Sequence, residues 1–274
     1  MENRIRIQVD DLGIAEVTLT RADKMNALDV AMFDALQAAI KQLETTPYLR
    51  AVVLHGEGKA FCAGLDMGRF AGMAQASEDS DGALDRLIPR KHGMSNGPQF
   101  VGMGWRSLPV PVIAAVHGVA FGGGLQVALG ADVRLLAPGT KMSVMELKWG
   151  LVPDMAGMVL MRGLVRDDQM RELVYSARVV EAEEAVSLGL ATRICADPLA
   201  AAHEMARNIA LRSPSAIRAA KRLLNQANRS VDDSAAALLM AESVEQSQLI
   251  GSADQAEAVK ANLEKRLPVF NSLR

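Results

Sequence analysis

Residues Arg4–Val9 and Ala15–Thr20 alternate apolar and polar positions, as half-buried strands do, with Asp11–Gly13 as the turn between them. Asp29 stands at the cap position of a predicted helix, and Pro47 ends that helix. Its apolar residues Met32, Phe33, Leu36, Ile40 and Leu43 recur at helical spacing. Ala51–Leu54, Val110–Val116 and Val133–Ala137 are short apolar runs that read as buried strands. Strands separated by helices need crossover connections, so the pattern predicts an α/β fold with a largely parallel sheet covered on both faces. After Gly157 helical patterns take over: Val159–Val165, Asp168–Tyr175, Ala182–Ser187, Leu199–Leu211, Ser215–Gln226, Ala235–Leu249 and Asp254–Leu267. The organisation expected is an α/β core over residues 1–200, with a weakly patterned variable loop at 67–106. A helical C-terminal region at 201–274 follows, with more apolar faces than such a core needs, which points to self-association.

Ser107–Ala131 carries no Asp, Glu, Lys or Arg and is long enough to span a bilayer. Pro109, Pro111 and the triple glycine at 122–124 break it, so a buried strand, a tight loop and a helix start fit better. A membrane is not an expected partner. The 274 residues carry a net charge of −2, which gives no general pull toward nucleic acid. Arg218, Lys221, Arg222 and Arg229 do share one helical face, the one feature that would favour RNA. The two cysteines, Cys62 and Cys195, form no disulfide framework and fit a reducing, cytoplasmic setting. The four histidines show no metal-ligand spacing, and no apolar leader opens the chain.

Two glycine-rich turns each follow a strand: Phe61-Cys62-Ala63-Gly64-Leu65-Asp66 and Phe121-Gly122-Gly123-Gly124-Leu125-Gln126. Exposed backbone N–H groups from two such turns can converge on one oxygen and stabilise an oxyanion. No phosphate-loop, dinucleotide or Gly-x-Ser-x-Gly signature is present. Glu146 lies between Met145 and Leu147, where desolvation would raise its proton affinity and suit it to act as a general base. Asp154 follows eight residues later, either as a second acid or as a helix cap.

Taken together, these segments resemble the crotonase, or enoyl-CoA hydratase/isomerase, family across nearly the whole chain. The Phe61–Asp66 turn, Ala115-Val-His-Gly-Val-Ala-Phe-Gly-Gly-Gly124 and Glu146…Gly150-Leu-Val-Pro153 carry the resemblance. Arg21…Asn26-Ala-Leu28 and Glu183-Glu-Ala185…Leu188-Gly-Leu190 add to it. It implies a crotonase-like spiral of ββα turns, with a helical C-terminal region that builds a homotrimer or a dimer of trimers. It implies an acyl-CoA substrate, in which coenzyme A is part of the substrate, and no other cofactor and no metal. By position, the oxyanion donors would be the N–H groups of Ala63 and Gly123. Ala60, Leu65, Asp66 and Lys265 would meet the CoA ester.

Hydratases of the family use two glutamates, at the positions of Gln126 and Glu146. An amide at 126 can orient a water or the other acid but cannot act as a base. The resemblance therefore favours an enoyl- or dienoyl-CoA isomerase, with Gln126 touching substrate, Glu146 as base and Asp154 as second acid. A hydratase that adds water to 2-enoyl-CoA and a non-catalytic acyl-CoA binder remain as alternatives.

Overall fold

The computed structural model describes residues 4–69, 87–227, 233–266 and 268. The acidic positions 78–81 and 85 and the basic residue Arg229 lie outside these. In chain order the described strands are β1 (Ile5–Val9), β2 (Ile14–Leu19), β3 (Ala51–Gly56), β4 (Val112–Val116), β5 (Val119–Phe121), β6 (Val133–Leu136), β7 (Lys141–Ser143), β8 (Val180–Glu181) and β9 (Arg193–Ile194). They form a large sheet of order β1-β2-β3-β4-β6-β9 and a small one of order β5-β7-β8. In the large sheet β1 and β2 are antiparallel and every later pairing is parallel. From β4 to β7 the chain alternates between the large and the small sheet; β8 then joins the small one and β9 the large one. This is the expected spiral.

The first helices are α1 (Val30–Thr45), α2 (Gly97–Ser107), α3 (Gly123–Leu129), α4 (Gly157–Met161) and α5 (Asp167–Ser176). The later ones are α6 (Ala182–Ser187), α7 (Pro198–Ala210), α8 (Pro214–Ala227), α9 (Asp233–Leu249) and α10 (Ala253–Glu264). Asp29 caps α1 as expected, accepting from the Met32 N–H at 2.8 Å. Side chains alternate across the central strands. Val52 and Leu54 of β3 and Val112, Ala114 and Val116 of β4 face one core with Leu36 and Ile40 of α1 and Trp105 of α2. Ala51, Val53, Ile113 and Ala115 face the other, against Ala202, Ala206 and Ala210 of α7. Small residues at every fourth position let α7 lie close to the sheet.

Two expectations change. The boundary set at residue 200 falls inside α7, which covers the large sheet and so belongs to the core layer. The loop expected over 67–106 ends early, because α2 begins at Gly97. Asn96 and Gln99 form a reciprocal capping box there, with Pro98 in the first turn. That short polar signature preceded Phe100, Val101 and Trp105, which α2 buries.

Two cations of the basic face of α8 are engaged by the core. Lys221 is buried, and its Nζ donates to the Val110 carbonyl at 2.7 Å and to Asp132 Oδ2 at 2.8 Å. Arg218 donates to the Leu49 carbonyl at 3.0 Å. These cations hold α8 to the core. No described helix is long and apolar enough to cross a membrane.

The buried pair gives a stability test. Asp132→Ala leaves the Lys221 charge buried without its counterion and should cost about 3 kcal/mol or more. Lys221→Met removes the charge and fills the space, so it should cost less. Urea midpoints of the two variants check the order.

Candidate functional site

A cavity of about 600 Å³ opens beside the turn at 63–65, the start of α3 and the 3-10 turn Glu146–Trp149. Leu28, Phe33, Trp149, Leu151, Met155 and Ile250 supply much of its apolar wall. Glu146, Asp154, Arg69 and Gln246 bring polar groups to it.

The 62–66 segment is stitched on both sides. Cys62 pairs with β5, its N–H donating to the Val119 carbonyl and its carbonyl accepting from Phe121 N–H. Leu65 forms a parallel bridge with Leu28, in which the Gly64 carbonyl and the Asp66 N–H face Leu28. That bridge turns the N–H of Leu65 itself to the opposite side. Among the described residues this N–H has no acceptor, and Leu65 lines the cavity. Gly64 makes the bend possible. Its φ is +88°, and a Cβ there would lie 2.5 Å from the Phe121 carbonyl oxygen and 3.7 Å from the Gly123 nitrogen. The Gly123 N–H, in the first turn of α3, likewise has no acceptor among the described residues.

The Ala63 N–H is not available. It donates to the Met25 carbonyl at 2.9 Å, inside the loop that precedes α1. The expectation that Ala63 supplies a free donor is therefore corrected. The free N–H of this turn belongs to Leu65, two residues on.

Glu146 packs beside Gly122, where a Cβ would come within 3.2 Å of the carboxylate. Its Oε1 accepts from the Gln126 side-chain amide at 2.7 Å, and its buried Oε2 has no partner among the described residues. Burial pushes its pKa up to about 7; the backbone N–H of Glu146 and the Gln126 amide oppose the rise, and the negative charge of Asp154 adds to it. Burial also lifts Asp154 to about 7. Asp154 caps no helix: α4 begins after Ala156 without a side-chain cap, and Asp154 faces the cavity.

Gln126 is 1% exposed and is not among the residues that line the cavity. Its amide NH2 holds Glu146, and its carbonyl oxygen accepts from the Met155 and Gly157 N–H groups at 2.9 and 2.8 Å. The expected contact with substrate is thus replaced by a positioning role, because these bonds leave the side chain inside the scaffold.

The remaining predicted residues lie outside the cavity lining. Ala60 is buried, and its carbonyl accepts from the Asn26 side chain at 2.9 Å. The Asp66 carboxylate is taken by Arg21 at 2.6 Å and the Gly68 N–H at 2.9 Å, which braces the turn from behind. Lys265 is exposed at the left-handed C-cap of α10. Among the described residues no group of three His, Cys, Asp or Glu side chains is placed to hold a metal.

Known proteins share this arrangement of chain. The family model described as enoyl-CoA hydratase/isomerase matches residues 10–273. The chain belongs to the enoyl-CoA hydratase/isomerase family. Among its relatives is YngF of Bacillus subtilis, whose name carries that same description, 31% identical over 276 residues and covering all of both chains. The mitochondrial methylglutaconyl-CoA hydratase of Mus musculus is 29% identical over 280 residues, covering 98% of this chain and 83% of the mouse protein. Among solved structures, an enoyl-CoA hydratase/isomerase from Mycobacterium paratuberculosis superposes with a TM-score of 0.83 at 25% identity, over 95% of this chain and 98% of that one. A carnitinyl-CoA hydratase from Mycobacterium avium superposes at 0.80 with 26% identity, over 99% and 100%.

Within this family fold, two site residues escaped the sequence reading: Glu242 and Gln246, both on α9. Leu239, Glu242, Ser243 and Gln246 recur at the spacing of one helical face, and all four are buried. Polar residues at inward positions were the available signal.

The coupled acids give a titration test. With carboxyl-labelled glutamate, Glu146 should titrate near pH 7. Asp154→Asn removes the neighbouring negative charge, so the Glu146 midpoint should fall. A midpoint that stays in place would remove Asp154 from the site's electrostatics.

Proposed function

We propose that this family member moves the double bond of an unsaturated acyl-CoA ester, with Glu146 and Asp154 handling the proton. The observation that carries the reading is the pair of carboxyls facing one apolar cavity, with an amide at residue 126. In the reading, ionised Glu146 takes a proton from C2 of a 3-enoyl thioester. The C–H electron pair enters the conjugated enolate, whose oxygen receives the Leu65 and Gly123 N–H groups. A donor of this kind contributes roughly 2.7–4 kcal/mol in the transition state. Asp154 in its acid form then delivers a proton to C4, and the double bond comes to rest between C2 and C3. Glu146 has gained a proton and Asp154 has lost one, so the pair resets through solvent between turnovers. Two carboxyls that both ionise near pH 7 can hold one proton between them, as this sequence requires.

Hydration of a 2-enoyl-CoA is the second reading, favoured by the hydratase names of several relatives. It asks Gln126 to hold a water, yet both ends of that amide are engaged by protein groups. Glu146→Gln should lower double-bond migration by about 10²-fold or more. Asp154→Asn should lower it while leaving CoA-ester binding close to normal. If wild-type protein hydrates 2-enoyl-CoA rapidly and Asp154→Asn leaves migration unchanged, the hydratase reading replaces this one.

We also propose a homotrimer or a dimer of trimers in which Lys265 reaches the CoA moiety. Leu223 and Leu224 of α8 are each 65% exposed in the single chain, which supports association through the helical region. Light scattering at micromolar concentration should report a trimer or hexamer, and a monomer would overturn this part.

A further inference from the structure

α9 presents Glu242 and Gln246 one helical turn apart on the same face. That face lies against the segment that carries Asp154. Gln246 Oε1 accepts the Val152 N–H at 3.0 Å, and Gln246 and Asp154 line the same cavity. Glu242 Oε2 accepts the Ala156 N–H at 3.2 Å and lies 3.4 Å from the Gln99 amide. Residues 152 and 156 flank Asp154 by two positions on either side. One helix therefore grips the backbone before and after the acid.

This stretch is held by side chains from two helices, α3 and α9. It leads into α4 through Ala156, whose φ of +71° is a costly conformation for a residue with a Cβ. Of its donors, the N–H groups of Met155 and Gly157 belong to Gln126, and those of Val152 and Ala156 to α9. The second oxygen of Glu242, Oε1, is buried with no partner among the described residues, and the residue is 6% exposed. A carboxyl in that setting resists ionisation, and the charge of Asp154 resists it further. The nearby cation, Arg90, is turned to Gln99, Ser243 and the Leu239 carbonyl. Glu242 thus serves as a neutral hydrogen-bond acceptor, a role that glutamine can reproduce.

We infer that Glu242 and Gln246 are positioning residues that hold Asp154 where it meets the substrate. The inference rests on the proton-donor reading of Asp154, and the test separates the two.

The experiment incubates 3-enoyl-CoA with the full-length enzyme in D2O. It follows two rates, deuterium entry at C2 and conversion to 2-enoyl-CoA. C2 exchange needs only Glu146 and the oxyanion donors, whereas conversion also needs Asp154. Gln246→Met and Glu242→Met should each lower conversion by about tenfold or more, within the range known for small misplacements of a catalytic group. C2 exchange should stay within about threefold, so the ratio of exchange to conversion rises. Glu242→Gln keeps an acceptor for the Ala156 N–H and should restore most of the conversion lost in Glu242→Met. Should Glu242→Met not fold, Gln246→Met and its ratio decide.

Exchange and conversion falling in parallel would mark a general structural role and overturn the inference, as would an unchanged ratio. Asp154→Asn is the control. If it slows conversion while Gln246→Met does not, only the positioning inference fails. If Asp154→Asn converts at the wild-type rate, the underlying reading of Asp154 fails.

Discussion

The site is organised around one side-chain amide. Gln126 donates to Glu146 and accepts from the Met155 and Gly157 N–H groups, so it ties together the two segments that carry the acids. Only an amide does both without a proton of its own to manage. A glutamate at 126 could accept the two N–H groups, but when ionised it would repel Glu146 rather than donate to it. α3 is the natural carrier: its first residues pack against the 62–66 turn, and Gln126 follows one turn later. The same short helix therefore sets the free Gly123 N–H and the position of both acids.

Magnitudes explain why this bond matters. Glutamate ordinarily ionises near 4.5, and its rise to about 7 at Glu146 is about 3 kcal/mol against the charged form. A hydrogen bond to a charged group contributes about 1.5–3 kcal/mol. Together with the backbone N–H of Glu146, the amide offsets part of the burial penalty and holds the base near pH 7, where it can both take a proton and give it back. One carboxylate oxygen is bonded to the amide, and the other is buried without a partner among the described residues.

Much of this was legible in the chain before its structure. The alternation in β1 and β2, the cap at Asp29 and the helical repeats after Gly157 are local patterns, and the fold kept them. Glu146 and Asp154 stood out as acids among apolar residues. The identity of the free donor in the 62–66 turn was not legible. It depends on the left-handed backbone of Gly64 and on a bridge to Leu28, far back in the sequence. Ala63 and Leu65 are alike in composition and differ only in where their N–H groups point. That Gln126 cannot act as a base follows from its side-chain amide alone. Its partners could not be read, because they come together only when α3 meets the segment before α4. The α9 residues were harder still, since Glu242 lies 86 positions from the Ala156 N–H it holds.

The bond between Gln126 and Glu146 sets the behaviour of the base, and the pH profile of Gln126→Glu tests it. That change replaces a donor to ionised Glu146 with a like charge, so both effects favour the protonated base. The acid limb of kcat/KM, set by ionisation of Glu146, should move to higher pH by about one unit or more. A limb that stays at its wild-type position, or moves to lower pH, would show that the amide does not govern Glu146 and would contradict the account.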